Sequence, residues 1–121
     1  MVPNSFILTG EELVRLRISG LIATPTVLRA VENPNSPFLK FMCTAGEPAT
    51  PDLVERWATK TTRLVNAYGP TEATVFITCI DLNDPNDITI GTSGFADTVC
   101  TVVDENLNPL PAGEVININY F

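Results

Sequence analysis

A chain of 121 residues has room for one domain and one modest core, but not for two. With 45% apolar and 17% charged residues, its composition is globular rather than disordered. Fourteen acidic residues face seven basic ones with no histidine, a net charge of −7 that repels phosphate backbones and anionic lipid and argues against nucleic-acid and membrane docking.

The first twelve residues have no basic flank and no long apolar run, so no secretory signal is expected. No stretch approaches the roughly 20 apolar residues that span a bilayer. After Thr9-Gly10 a short helix is expected from Glu11 to Arg17, with Leu13 and Leu16 on one face. Gly20 to Ala23 is a brief apolar run that suits a buried strand. Thr24-Pro25 then starts a helix, threonine capping the free amides and proline occupying a position that needs no donor. Val27, Leu28 and Val31 would form its apolar face, and the Asn33–Pro37 segment ends it.

The pattern recurs. Phe38 to Thr44 is expected as a buried strand, Gly46-Glu47-Pro48 as a turn, and Thr50-Pro51 as a second cap-plus-proline start. Leu53, Val54, Trp57 and Ala58 follow at helical spacing, and Arg63 to Tyr68 returns as a strand. Strand, helix, strand, helix, strand argues for an α/β fold with a parallel sheet and right-handed crossovers. Ligands bind such sheets at the carboxyl ends of the strands, where both Gly46-Glu47-Pro48 and Gly69-Pro70-Thr71-Glu72 fall. Beyond Glu72, β-branched segments at Thr74–Ile80 and Thr98–Val103, and a last one at Val115–Ile118, read as a β-rich ribbon with Asn/Asp/Pro loops between them.

Cys43, Cys79 and Cys100 are odd in number, far apart and without histidine partners, so neither a zinc site nor a disulfide framework is expected. Each lies in an apolar run, which suits a small buried thiol and a cytoplasmic, reducing compartment. Without histidine, Ser/His/Asp and Cys/His catalysis are impossible. The adjacent carboxylates Glu11/Glu12 and Asp104/Glu105 suit solvation better than acid–base work. Taken alone, Gly69-Pro70-Thr71-Glu72 is a turn, a cap and a first helical turn.

In context it says more. Asn66-Ala67-Tyr68-Gly69-Pro70-Thr71-Glu72 resembles a hallmark of the amino-acid-activating adenylation domains of nonribosomal peptide synthetases, within the adenylate-forming superfamily of AMP-dependent synthetases and ligases. The resemblance runs in order from about Ile18 to Glu114. Ala23-Thr24-Pro25-Thr26-Val27-Leu28 is similar to the family's helix start, and Phe41 to Pro48 to its strand and adenine-contacting turn. Ile90-Gly91, Val102-Val103-Asp104, Pro109, Pro111 and Gly113-Glu114 are similar to the ribbon that closes the large N-terminal subdomain.

The resemblance implies a parent reaction in which a carboxylate and ATP give an acyl-adenylate and pyrophosphate, followed by thioester transfer to a phosphopantetheine carrier. It implies that Tyr68 stacks on adenine, that Asn66 accepts from the exocyclic amine, and that the Gly46-Glu47-Pro48 backbone, with Gly69, lines the same ring. Thr71 would donate to the α-phosphate, and Glu72 would hold Mg²⁺; these two are the candidate catalytic residues. An acyl pocket of Ile22, Cys43, Ala45, Ala67, Val75 and Phe76 is implied, suited to an apolar amino acid. A carrier protein or the rest of a synthetase would be the macromolecular partner.

The sequence also departs from the family. Its Ser/Thr/Gly-rich phosphate loop, Phe-Asp and Thr-Gly-Asp segments and lysine-bearing small subdomain do not occur in these residues. Asp97 stands where the family has asparagine, and residues 117–121 leave its glycine pattern. The expectation is a partial AMP-binding domain over residues 1–121, incomplete at both ends, with open sheet edges, a tendency to aggregate and no ATP–pyrophosphate exchange by itself. A piece of an acyl- or aryl-CoA ligase, or a non-catalytic nucleotide-binding or protein-interaction remnant, are the alternatives left open.

Overall fold

The computed structural model describes residues 9–31, 36–59, 62–71 and 75–113. Among the described residues three short helices alternate with three strands, and two further strands follow: α1 (Gly10–Arg15), β1 (Gly20–Ala23), α2 (Pro25–Ala30), β2 (Phe41–Thr44), α3 (Pro51–Trp57), β3 (Arg63–Tyr68), β4 (Thr78–Asp81) and β5 (Thr92–Ser93). One sheet holds all five strands in the order β1-β2-β3-β4-β5. The β1–β2 and β2–β3 pairs are parallel, with Ile22 opposite Cys43 and Cys43 opposite Val65. The β3–β4 and β4–β5 pairs are antiparallel. The expected parallel sheet is therefore present, and the ribbon extends it rather than standing apart.

Each helix has a local cause. Thr9 caps α1 through a reciprocal box: its Oγ1 accepts from Glu12 N at 3.3 Å, and its own N–H donates to Glu12 Oε2 at 3.0 Å. Prolines at the first helical positions start α2 and α3, as expected from Thr24-Pro25 and Thr50-Pro51. The expected threonine caps are absent, since neither hydroxyl bonds the helix amides. Thr50 instead accepts from the Arg29 guanidinium at 2.5 Å.

The helices cover one sheet face. Leu13, Leu28, Leu53, Val54 and Trp57 pack with Met42, Leu64 and Leu82 in a core whose side chains are almost fully buried. At roughly 1.5–3 kcal/mol for each large apolar side chain, this cluster is the main source of stability. Arg56 on α3 ties the layers together by donating to the carbonyls of Arg29 at 3.0 Å and Val31 at 2.5 Å. The opposite face carries Cys43, Val65 and Ala67, with Phe41, Ala45, Phe76 and Cys79 around them.

Several expectations are corrected. Helix α1 stops at Arg15 rather than Arg17, because Arg17 adopts a left-handed φ of 53°. Leu16 consequently leaves the buried face shared with Leu13 and is exposed, as is Val27 on α2. Strand β2 begins at Phe41, not Phe38. The ribbon strand expected from Thr74 begins at Thr78, and Thr98–Val103 forms no strand, only an isolated bridge from Val103 to Pro109. Of the three thiols only Cys43 is buried; Cys79 is half-buried and Cys100 exposed. The Val115–Ile118 expectation lies outside the described residues.

Surface carboxylates add an acid-sensitive layer. The Thr26 hydroxyl holds the Glu47 carboxyl below its ordinary range, the Thr50 hydroxyl does so for Asp52, and backbone N–H donation from Asn108 does so for Asp104. Each folded-state value lies below its unfolded one, so the stabilisation is complete above about pH 5 and is lost as pH falls through and below about 4. Thermal midpoints should be nearly flat from pH 7 to 5 and decline below about 4, and Asp104→Asn should reduce that acid-side decline.

Candidate functional site

Strands β2 and β3 run parallel, so their carboxyl ends and the turns that follow lie side by side. There the fold opens a cavity of about 410 Å³ lined by Gly46, Glu47, Pro48, Asn66, Ala67, Tyr68, Gly69 and Ile90. That volume is in the range of small-molecule sites, roughly 300–1,000 Å³. The expected nucleotide residues Gly46, Glu47, Pro48, Asn66, Tyr68 and Gly69 all line it.

Backbone conformation shapes its walls. Gly46 has a φ of 84°, a left-handed geometry that lets the chain turn sharply after β2. Gly69 is held differently: a Cβ there would sit 2.5 Å from Phe76 Cα and 2.8 Å from Ile77 N. This close approach is fastened by the Ile77 N–H, which donates to Tyr68 O at 2.8 Å.

Asn66 is buried, and its Nδ2 donates to Thr89 O at 2.7 Å. A carbonyl only accepts, so this bond fixes the amide with nitrogen toward Thr89 and leaves Oδ1 as the acceptor. Tyr68 is half-buried at the cavity wall. Thr89 and Ile90 were not expected as site residues. They reach the strand ends from about twenty residues downstream, and the only sequence signal was Ile90-Gly91, whose glycine has a φ of 77° and packs against the Cys79 carbonyl.

The remaining site expectations divide. Thr71 is exposed and is not among the residues lining the cavity. Glu72 lies outside the described residues. Among the described residues, no group of three or more His, Cys, Asp or Glu side chains is arranged to hold a metal ion. Of the expected acyl-pocket residues, Cys43, Ala45, Ala67 and Phe76 gather on the sheet face away from the helices, joined by Val65, Phe41 and Cys79. Ile22 shares that face by register with Cys43 but is 72% exposed, and Val75 is 68% exposed. Val75 also has a φ of 87°, a strained backbone for a β-branched residue. Burial, and secondarily the neighbouring Cys79, raises the Cys43 thiol, so at neutral pH it is an uncharged wall and not a nucleophile. Phe76 stacks on Phe95 with ring centroids 5.5 Å apart, closing one side of this patch.

Known proteins share this fold. Residues 4–116 match the family described as AMP-binding enzyme. The nonribosomal peptide synthetase sidE of Aspergillus fumigatus is 34% identical over 115 residues, covering 93% of this chain and 5% of that protein. A four-domain nonribosomal peptide synthetase solved with AMP and glycine superposes with a TM-score of 0.69 at 29% identity, covering 87% of this chain and 8% of that one. The Vibrio cholerae adenylation domain AlmE, solved with glycyl-adenosine-5'-phosphate, shares the fold with a TM-score of 0.69 at 21% identity, over 84% of this chain and 22% of that one. The chain thus spans a small part of each relative's length. Among the described residues no helix is long and apolar enough to cross a membrane. The matched range, the sequence relatives and the shared fold make this chain a member of the AMP-binding enzyme family, and a piece of an adenylation domain of the kind found in nonribosomal peptide synthetases.

Proposed function

We propose that the chain supplies the adenine side of a nucleotide site that activates an amino acid by adenylation. The observation that carries this is the convergence of two separate turns and one downstream segment on a single cavity: Gly46–Pro48, Asn66–Gly69 and Ile90. The parent reaction joins a carboxylate to ATP, releases pyrophosphate, and passes the acyl group to a carrier thiol. Its demands are positioning and charge stabilisation rather than a nucleophile, which suits a chain without histidine.

In this reading the Tyr68 ring stacks on adenine and Asn66 Oδ1 accepts from its exocyclic amine, while the turn backbone at Gly46–Pro48 borders the ring. Asn66 is suited to that role because Thr89 already fixes its orientation. Thr71 would donate to the α-phosphate, and Glu72 would hold Mg²⁺; these two assignments rest on the motif. The uncharged Cys43, Ala45, Ala67 and Phe76 patch favours an apolar amino-acid side chain, with Ile22 and Val75 at its margin. The partners in this reading are that amino acid and a carrier protein, within a larger synthetase in the cytoplasm and a domain that continues beyond residues 1–121.

A nonhydrolysable acyl-AMP analogue tests it. Tyr68→Ala should weaken binding by roughly 5- to 150-fold, the equivalent of about 1–3 kcal/mol for base–aromatic stacking, whereas Tyr68→Phe keeps the aromatic face and most of the affinity. Thr71→Ala should weaken it further. Equal affinity of the wild type and Tyr68→Ala would contradict the proposed adenine contact.

A further inference from the structure

Glu47 lies on the cavity wall, yet its carboxylate is engaged on a different element. Its Oε2 accepts from the backbone N–H of Thr26 at 3.0 Å and from the Thr26 hydroxyl at 2.5 Å. Thr26 is the second residue of α2, and its N–H has no partner within its own helix. A side chain from twenty-one residues away thus supplies the cap that the Thr24 hydroxyl does not.

The turn that Glu47 belongs to has little else to hold it. Gly46, in the left-handed region, is of the residue type with the most backbone freedom, and Gly46, Glu47 and Pro48 are all exposed. Among the described residues, no backbone–backbone hydrogen bond outside the helices and strands involves residues 46–49. The far end of the same connection is fastened to α2 as well, since Arg29 donates to Thr50 Oγ1 at 2.5 Å and pairs with Asp52 at 3.2 Å. The β2–α3 connection is therefore pinned to α2 at two points, and the Glu47–Thr26 point lies at the cavity.

We propose that Glu47 is a positioning residue of the nucleotide site: by bonding Thr26 at the start of α2, it fixes the Gly46–Pro48 turn as a preorganised wall for the base. The inference rests on the nucleotide reading above and deepens it. It assigns the Glu47 side chain to holding the wall, with no contact to the ligand. Thr26, in a helix outside the cavity lining, becomes part of the site's machinery. A preformed wall lowers the ordering cost of binding, so loss of the bond appears in nucleotide affinity.

AMP titration of the 121-residue chain, with amide hydrogen exchange on the same samples, tests this. Glu47→Ala should weaken AMP binding by roughly tenfold, on the scale of a lost charge-assisted hydrogen-bond pair. The Thr26 amide, which donates to Glu47, should then exchange faster while those of β2 and β3 keep their protection. Glu47→Gln should recover most of the affinity, because its amide oxygen accepts the same two bonds. Thr26→Val removes the hydroxyl bond but keeps the backbone N–H bond, so it should weaken binding in the same direction by less, and add little on top of Glu47→Ala, where both bonds are already gone. If Glu47→Ala fails to fold, Thr26→Val and Glu47→Gln carry the test. Wild-type affinity in Thr26→Val, or a loss in Glu47→Gln as large as in Glu47→Ala, would overturn the positioning role. A wild-type chain that does not bind AMP would overturn the nucleotide reading and this inference with it, whereas wild-type binding with unaffected variants overturns the inference alone.

Discussion

Gly69→Ala should abolish AMP binding and lower the thermal midpoint of the chain by many degrees. The added methyl would lie 2.5 Å from Phe76 Cα, 2.8 Å from Ile77 N and 2.9 Å from Phe76 C. These are backbone atoms, so no rotamer change relieves the contact. The two segments must separate, and separation breaks the bond from the Ile77 N–H to Tyr68 O. Overpacking a tight contact costs roughly 1–3 kcal/mol, and a backbone clash belongs at or above the upper end. Tyr68 and Gly69 both line the cavity, so the displacement falls on the proposed adenine contact. Gly46→Ala provides the contrast. Its nearest neighbour would be Thr24 Cγ2 at an ordinary 3.8 Å, so its cost is only that of the left-handed φ, about 1–2 kcal/mol. Circular-dichroism melts and AMP titration of both variants should rank Gly69→Ala as the more damaging. Near-wild-type binding by Gly69→Ala would mean that the close approach at residues 76–77 is dispensable to the site.

Trp57→Ala has the largest expected effect on folding. The indole is 1% exposed at the end of α3, in the core that joins helices and sheet, and its deletion leaves a large cavity. Such changes cost roughly 3–5 kcal/mol, against a typical total stability of 5–15. The variant should be largely unfolded at 37 °C by circular dichroism. Trp57→Phe should be far milder than the size difference suggests. The Trp57 Nε1 is buried without a hydrogen-bond partner among the described residues, and phenylalanine removes that unsatisfied donor along with the lost volume. A Trp57→Phe midpoint as low as that of Trp57→Ala would contradict this, since the retained ring would then recover none of the lost packing.

The parts of the molecule legible in the sequence were those set by local chemistry. Proline after threonine marked the starts of α2 and α3, apolar runs marked β1 and β3, and the position of two turns after strands placed them at one sheet edge. The six residues expected at the nucleotide site that line the cavity came from the family resemblance, three of them from the Asn66–Glu72 motif and three from the Gly46-Glu47-Pro48 turn. What escaped was decided by partners distant in the chain. Leu16 and Val27 fit a helical apolar spacing, yet both are exposed, and no described element covers them. Thr98–Val103 has the β-branched composition of a strand but, among the described residues, finds only one bridge, because strand propensity needs a paired neighbour to act.

The functions of threonines show the same division. Thr24 and Thr50 stand where caps belong, but Thr50 is taken by Arg29 and the N-terminus of α2 by Glu47. The Thr9–Glu12 capping box was not among the expected features, although its threonine-to-glutamate spacing stands in the sequence. Thr89 and Ile90 could not be assigned to the site from spacing, since only the fold brings them to the ends of β2 and β3. The exposure of Cys100 likewise depends on the ribbon's path rather than on the apolar run around it.

The central claim is that one cavity at the ends of β2 and β3 receives a nucleotide base. Amide-resolved NMR of the 121-residue chain during AMP titration tests it most directly. Saturable shifts should concentrate at Gly46, Glu47, Asn66, Tyr68, Gly69 and Ile90, with the α1 amides unmoved. Absence of saturable shifts, or shifts centred away from these residues, would contradict the account.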